Sequence, residues 1–163
     1  MPYEIKNVTA AKLNQQADYY FGESQFYEAV HQLKSAMEIE PDNPRLYFNL
    51  AICYSFMDSF NFELKSLDQA IHLDPGFAGF YFFRGKALYK HGLLSDAIKD
   101  YQKAVSIDSA NWVFYTNMAM AYYDKGEVDS ACYNFKKAKK LGFEFTTNNK
   151  QDLLRQIEVK CNL

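Results

Sequence analysis

Three histidines and three cysteines are the side chains in this sequence best suited to catalysis or metal binding, and their spacing argues against both. His31, His72 and His91 fall at different places in the pattern described below, so they are not expected to converge. Cys53, Cys132 and Cys161 form no CxxC and no metal-ligand spacing. The plain reading is three thiols in a reducing compartment. No nucleophile–base arrangement, phosphate loop or dinucleotide fingerprint occurs. The chemistry on offer is recognition. Between Phe77 and Phe83 the chain places five aromatic rings, followed by Arg84, Lys86, Tyr89 and Lys90. At about 100° per residue, Tyr81, Gly85 and Leu88 share one face of a helix, with Arg84 at its edge. Phe80 and Ala87 share a second. Phe82, Phe83, Lys86, Tyr89 and Lys90 share a third, which could offer apolar anchoring sites beside cations.

The totals restrict the elements that could carry such a face. The chain has 163 residues, 48% hydrophobic and 23% charged, enough for one domain with a sizeable core. Aromatics reach 17%, through 13 Tyr and 14 Phe. Only 7 Gly and 4 Pro disfavour an all-β chain with its many turns. A formal charge of −2 gives no basic stripe for nucleic acid. No apolar run approaches the ~18 residues of a membrane span. "MPYEIKNVTAAKL" contains no apolar leader segment. A cytoplasmic location is expected, or a periplasmic one if a leader has been removed.

Self-similarity appears at a period of 34 residues. "AMEIEPDN" (36–43), "AIHLDPGF" (70–77), "AVSIDSAN" (104–111) and "AKKLGFEF" (138–145) align. One column is small throughout: Ala17, Ala51, Gly85, Ala119. Another is Ala36, Ala70, Ala104, Ala138. Large residues fill Leu13, Tyr47, Tyr81, Tyr115, then Tyr20, Tyr54, Leu88, Tyr122, then Leu33, Leu67, Tyr101, Phe135. Each copy reads as two helices, with small residues beside large ones so that the pair can approach closely. Gly92 and Gly126 mark the turn between helices, where positive φ is easy; Ser24 and Asp58 hold that place in the first two copies. Pro41 and Pro75 end the second helix.

The pattern closely resembles the tetratricopeptide repeat (TPR) family, whose hallmark is W-x2-L-G-x2-Y, then A-x3-F, then P, in 34 residues. Here "YFFRGKAL" and "AIKDYQKA" stand in the third copy, and "YTNMAMAY" and "ACYNFKKA" in the fourth. The resemblance implies an all-α, right-handed α-solenoid of four hairpins and a closing helix. The division is an extension over 1–9, repeats over 10–43, 44–77, 78–111 and 112–145, and a cap over 146–163. Within "TTNNKQDLLRQIEVKCNL", Asn149 is expected to cap a helix over ~149–161 striped with Leu153, Leu154 and Ile157. Glu63 departs from the alanines at 29, 97 and 131, and a shift or splay of the second copy is expected there. Ser109 and Phe143 replace the proline.

In such a stack the first helices line the concave side, and the resemblance implies that the third face lines a ligand groove. Besides Phe82, Phe83, Lys86, Tyr89 and Lys90, the same columns select Asn14, Gln15, Asp18 and Phe21 in copy one. They select Arg45, Phe48, Asn49, Ile52 and Phe56 in copy two, and Val113, Thr116, Asn117, Met120 and Tyr123 in copy four. The peptide-binding set is thus Arg45, Phe48, Asn49, Ile52, Phe56, Phe82, Phe83, Lys86, Tyr89, Lys90, Asn117, Met120 and Tyr123. Phe48, Phe82 and Phe83 are expected to stay partly wet, and Phe82 to matter for binding more than for folding, unlike the core ring Tyr81. Asn49 and Asn117 can pair with an extended backbone. Arg45, Lys86 and Lys90 can attract acidic groups. Some members of the family this chain resembles hold a terminal carboxylate with lysines and asparagines. Asn49 matches one asparagine, but Gly79 and Phe83 stand where that set has bases, so the resemblance does not imply the clamp here. The lysines in "KKAKK" (136–140) suit a solvated helix end.

The expected function is a non-enzymatic module that binds a protein or peptide segment, without cofactor or metal. A secretion-type chaperone and a self-associating homo-oligomeric scaffold are the alternatives. The chain's end is also similar to some bacterial repeat chains with cysteines at both places. That resemblance implies a Cys132–Cys161 disulfide, against the plainer reading of two inert thiols.

Overall fold

The computed structural model describes residues 4–144 and 151–162. Among them nine helices and no strand occur. The chain divides into two compact units, Met1–Gly76 and Phe77–Leu163. Unit 1 holds α1 (Val8–Gly22), α2 (Phe26–Ile39), α3 (Pro44–Phe56) and α4 (Phe60–Leu73). Unit 2 holds α5 (Ala78–Lys90), α6 (Leu94–Ile107), α7 (Trp112–Asp124), α8 (Val128–Lys140) and α9 (Gln151–Lys160).

The helices begin and end where backbone chemistry directs them. Asn43 and Asn111 cap α3 and α7, accepting from the amides of Arg45 and Val113, both at 3.1 Å. Asn7 caps α1 through Thr9 N at 2.9 Å. Between the paired helices the chain turns through positive φ at Ser24 (59°), Asp58 (52°), Gly92 (75°) and Gly126 (87°). All four copies therefore use one left-handed turn, and two of them accept its steric cost on a residue with a Cβ.

Each hairpin closes on a small residue. Ala17, Ala51, Gly85 and Ala119 are buried, as are Leu33, Leu67, Tyr101 and Phe135. The third copy shows why its small residue must be glycine. A Cβ on Gly85 would sit 2.7 Å from Tyr101 Cε1 and 3.2 Å from the Ala97 carbonyl oxygen. Tyr101 is 0% exposed, so its ring cannot swing out to water. Beside it Arg84 grips Asp100, with Nε to Oδ2 at 2.8 Å and Nη2 to Oδ1 at 2.7 Å. This two-pronged pair ties α5 to α6.

Two expectations need correction. Glu63 does not displace the second copy along the chain. α4 begins at Phe60, in step with α2 at Phe26, α6 at Leu94 and α8 at Val128. Glu63 is only 6% exposed, yet it lies in the first turn of α4, where the helix dipole favours a carboxylate. The second correction concerns the thiols. Cys132 and Cys161 are joined in a disulfide, with Cα atoms 5.5 Å apart. α8 and α9 are neighbours, which brings the two residues within bonding reach. Cys53 alone stays free, and it is buried.

α9 lies against α7 and α8. Leu154 and Ile157 are buried and Leu153 half-buried, and Lys139 pairs with Glu158. Phe143 fills the place of the missing proline by packing on Phe135 and Trp112, with centroids at 5.7 and 5.3 Å. The proposed cap at Asn149 and the boundary at 146 lie outside the described residues. In unit 1, Asn43 Nδ2 donates to the Glu4 carbonyl at 3.2 Å, and Ile5 packs on the core.

Two outcomes follow from these contacts. Gly85→Ala gains about 1 kcal/mol of helix propensity but loses about 1–3 kcal/mol to overpacking, so urea melts show net destabilisation. In a Tyr101→Leu background the sign reverses, because the ring that forbids a Cβ is gone. Reducing the disulfide, or Cys132→Ser, lowers unfolding free energy by about 2–4 kcal/mol.

Candidate functional site

The first helices of adjacent hairpins lie side by side within each unit, and three contacts join residues 35 apart. In unit 1, Asn49 Nδ2 donates to Asn14 Oδ1 at 2.8 Å, and the rings of Phe21 and Phe56 meet edge-on at 5.0 Å. In unit 2, the Tyr89 hydroxyl donates to Asp124 Oδ2. α1 with α3, and α5 with α7, thus each present a joint face carrying many of the candidate residues.

On the unit 1 face, Asn14 Nδ2 also donates to Asp18 Oδ2 at 3.3 Å. Burial raises the Asp18 pKa above the usual carboxylate value, opposed by the nearby Arg45 charge. Ile52 and Asn49 are half-buried and Phe56 is 64% exposed. Phe48 departs from expectation: it is 7% exposed and belongs to the core. A helical wheel gives direction, but it does not say how far neighbouring helices cover that direction. Cys53 lies behind this face. Burial first, then the Asp18 charge, pushes its thiol up to about 11, which leaves it a poor nucleophile at neutral pH.

On the unit 2 face, Phe82 and Phe83 meet edge-on at 5.5 Å. The Lys86 ammonium stands over both rings, 5.2 Å from Phe83 and 5.7 Å from Phe82. Phe82 also packs on Phe114 at 5.0 Å and on Tyr101 at 6.0 Å. It therefore helps hold α5, α6 and α7 together, and the expectation that it serves binding rather than folding is revised. Met120, Tyr123 and Tyr89 are half-buried, and Lys86 and Lys90 are exposed. Asn117 is also half-buried, but its amide nitrogen is turned back to the Val113 carbonyl at 2.8 Å. Thr116 does the same at 2.9 Å.

Sequence reasoning missed the partners on neighbouring helices. Asp124 and Asp100 fix Tyr89 and Arg84, yet each looks like an ordinary surface acid when read along one helix. For Tyr89 the signal was one period plus one residue away. His31, His72 and His91 are all exposed. Among the described residues no helix is long and apolar enough to cross a membrane.

Comparison with known proteins agrees with this architecture. A family model described as "TPR repeat" matches residues 85–126. The small glutamine-rich tetratricopeptide repeat-containing protein 2 of Mycosarcoma maydis is 30% identical over 91 residues, covering 56% of this chain and 26% of that protein. The chain spans about a quarter of the first curated relatives it matches. The structure of MamA 41-end from Desulfovibrio magneticus RS-1 superposes with a TM-score of 0.82 at 17% identity, over 96% of this chain and 87% of that one. The first TPR of Spaghetti (RPAP3), bound to the HSP90 peptide SRMEEVD, gives 0.68 at 23% identity, over 72% and 94%. Residues 85–126 thus match the TPR repeat model, and the fold is the all-α solenoid class built from helical hairpins with a closing helix.

The Tyr89–Asp124 contact has an alkaline signature. Burial first, then the hydrogen bond and charge of Asp124, holds the Tyr89 phenol well above its ordinary value near 10. Tyr101 is raised likewise, by burial and then by Tyr89 and Asp100. A raised folded pKa favours the folded state below the unfolded value, and that contribution is lost as pH rises beyond about 10. Ultraviolet titration of the 13 tyrosines should show a late-ionising pair. Tyr89→Phe should remove one of the pair and flatten the fall in stability above pH ~10.

Proposed function

We propose that the chain is a non-enzymatic interaction module in which each unit offers its own face to a peptide segment of a partner protein, α1/α3 in unit 1 and α5/α7 in unit 2. One observation carries the reading. Each face combines aromatic rings that are not fully covered with polar or charged groups along the same helices: Phe56 and the Asn49–Asn14 pair on α1/α3, and Phe83 beneath Lys86 on α5/α7. Apolar surface left within reach of water beside polar groups marks recognition surfaces. The Spaghetti TPR structure is of a peptide complex, which supports a peptide as the ligand class. The binding residues remain those chosen by the repeat columns, except that Phe48 acts from within the core and Phe82 mainly as support. The four repeats over 10–145 and the cap from 146 are retained as the division of the chain. The Cys132–Cys161 bridge supports an oxidising compartment rather than the reducing one expected from composition.

The tagged chain should capture a partner from lysate of its own cells, identifiable by mass spectrometry. Lys86→Glu and Phe56→Ala, both at exposed positions, should each weaken that capture about tenfold or more at a temperature where circular dichroism shows the variant folded. Undiminished capture by both variants would contradict the assignment of the faces. Light scattering separates a scaffold that binds its own copies, since mass would then rise with concentration.

A further inference from the structure

At the turn end of unit 1 three rings from three helices meet. Phe21 of α1 lies 5.5 Å from Phe26 of α2 and 5.0 Å from Phe56 of α3, and Phe26 lies 5.5 Å from Phe56. The cluster does not serve the core alone, since Phe56 remains 64% exposed and Phe21 and Phe26 are only half-buried.

The charged residues flanking the cluster in sequence are of one sign, with Lys12, His31, Arg45 and Lys65 bounding the stretches. Residues 13–30 and 46–64 supply the second half of α1, both turns, the starts of α2 and α4, and nearly all of α3. They contain no Lys, Arg or His, but they do contain Asp18, Glu23, Glu28, Asp58 and Glu63. Glu23, Glu28 and Asp58 are exposed, each two residues beyond a ring of the cluster. The imbalance extends through the unit: residues 1–76 carry 5 Lys and Arg against 11 Asp and Glu, a formal −6. The other 87 residues hold 13 against 9, a formal +4.

Ring faces carry negative potential and attract cations, and the carboxylates around the cluster add to that field. An acidic segment arriving here meets like charge, whereas a basic one is drawn in and can seat an apolar side chain among the rings. We infer that the Phe21–Phe26–Phe56 end of unit 1 docks a basic segment of a partner protein, with a Lys or Arg over the rings beside an apolar anchor. The inference rests on the groove reading, because Phe21 and Phe56 close one end of the α1/α3 face, and it assigns the sign of the ligand there.

The test uses the full chain and three fluorescein-labelled peptides followed by anisotropy. One is Lys- and Arg-rich with a central Leu-Phe pair; one replaces its bases with Glu; one replaces Leu-Phe with Ser-Ser. The first should bind, more weakly as salt rises, and each of the others about tenfold less tightly. Phe56→Ala should weaken the first peptide about tenfold, and the Glu23→Gln/Glu28→Gln pair should weaken it and flatten its salt dependence. Equal or tighter binding of the Glu peptide overturns the inference. So does binding of the basic peptide that neither variant changes, or an absence of binding by it. Chain mass that rises with concentration and falls back in Phe56→Ala would make a second copy the occupant and also overturn it. Amide shifts from the Glu peptide at Asn49 and Ile52 would leave the groove reading standing while the charge assignment falls.

Discussion

Contact between residues one repeat and one residue apart is the constraint on which each unit depends. A 34-residue period returns the chain to the same place in the next hairpin. One further residue meets the neighbour across the helix interface, as Asn14 meets Asn49, Phe21 meets Phe56 and Tyr89 meets Asp124. These contacts exist only because each hairpin is narrow. Ala17, Ala51, Gly85 or Ala119 faces a large residue, so the second helix packs close behind the first and leaves its opposite face to the next first helix. A wider crossing would move the two first helices apart and dissolve the joint face.

Departures from the repeat pattern are absorbed locally. Tyr101 is larger than Leu33 or Leu67, and the residue opposite has shrunk to glycine. Its hydroxyl, buried without a protein partner among the described residues, is the remaining cost of that exchange. Phe143 stands where a proline would, and it becomes an anchor between Phe135 and Trp112. Glu63 replaces alanine at a helix start, where a carboxylate interacts favourably with the backbone dipole.

Much of this was legible from the sequence, for physical reasons. Periodic size, as in Ala36, Ala70, Ala104 and Ala138, reports packing directly, because volume at a crossing tolerates little variation. Turn geometry was legible at Gly92 and Gly126 and carried over to Ser24 and Asp58 by position alone. Charge pairing was not. Arg84–Asp100 joins residues 16 apart on different helices, and nothing local marks either partner. Burial of Phe48 was missed because direction on a helix is set by the chain itself, while coverage is set by its neighbours. The disulfide is one of two readings the sequence allows, because adjacent helices do not by themselves bring two thiols into bonding geometry; the 5.5 Å between the Cα atoms of Cys132 and Cys161 does.

Proton–proton cross-relaxation between aromatic rings tests the side-by-side first helices most directly. The account predicts a contact between Phe21 and Phe56, whose centroids lie 5.0 Å apart, and between Phe82 and Phe114 at the same separation. If the signals within each hairpin were present but both of these were missing, adjacent first helices would not form a joint face, and the recognition surface built on it would not exist.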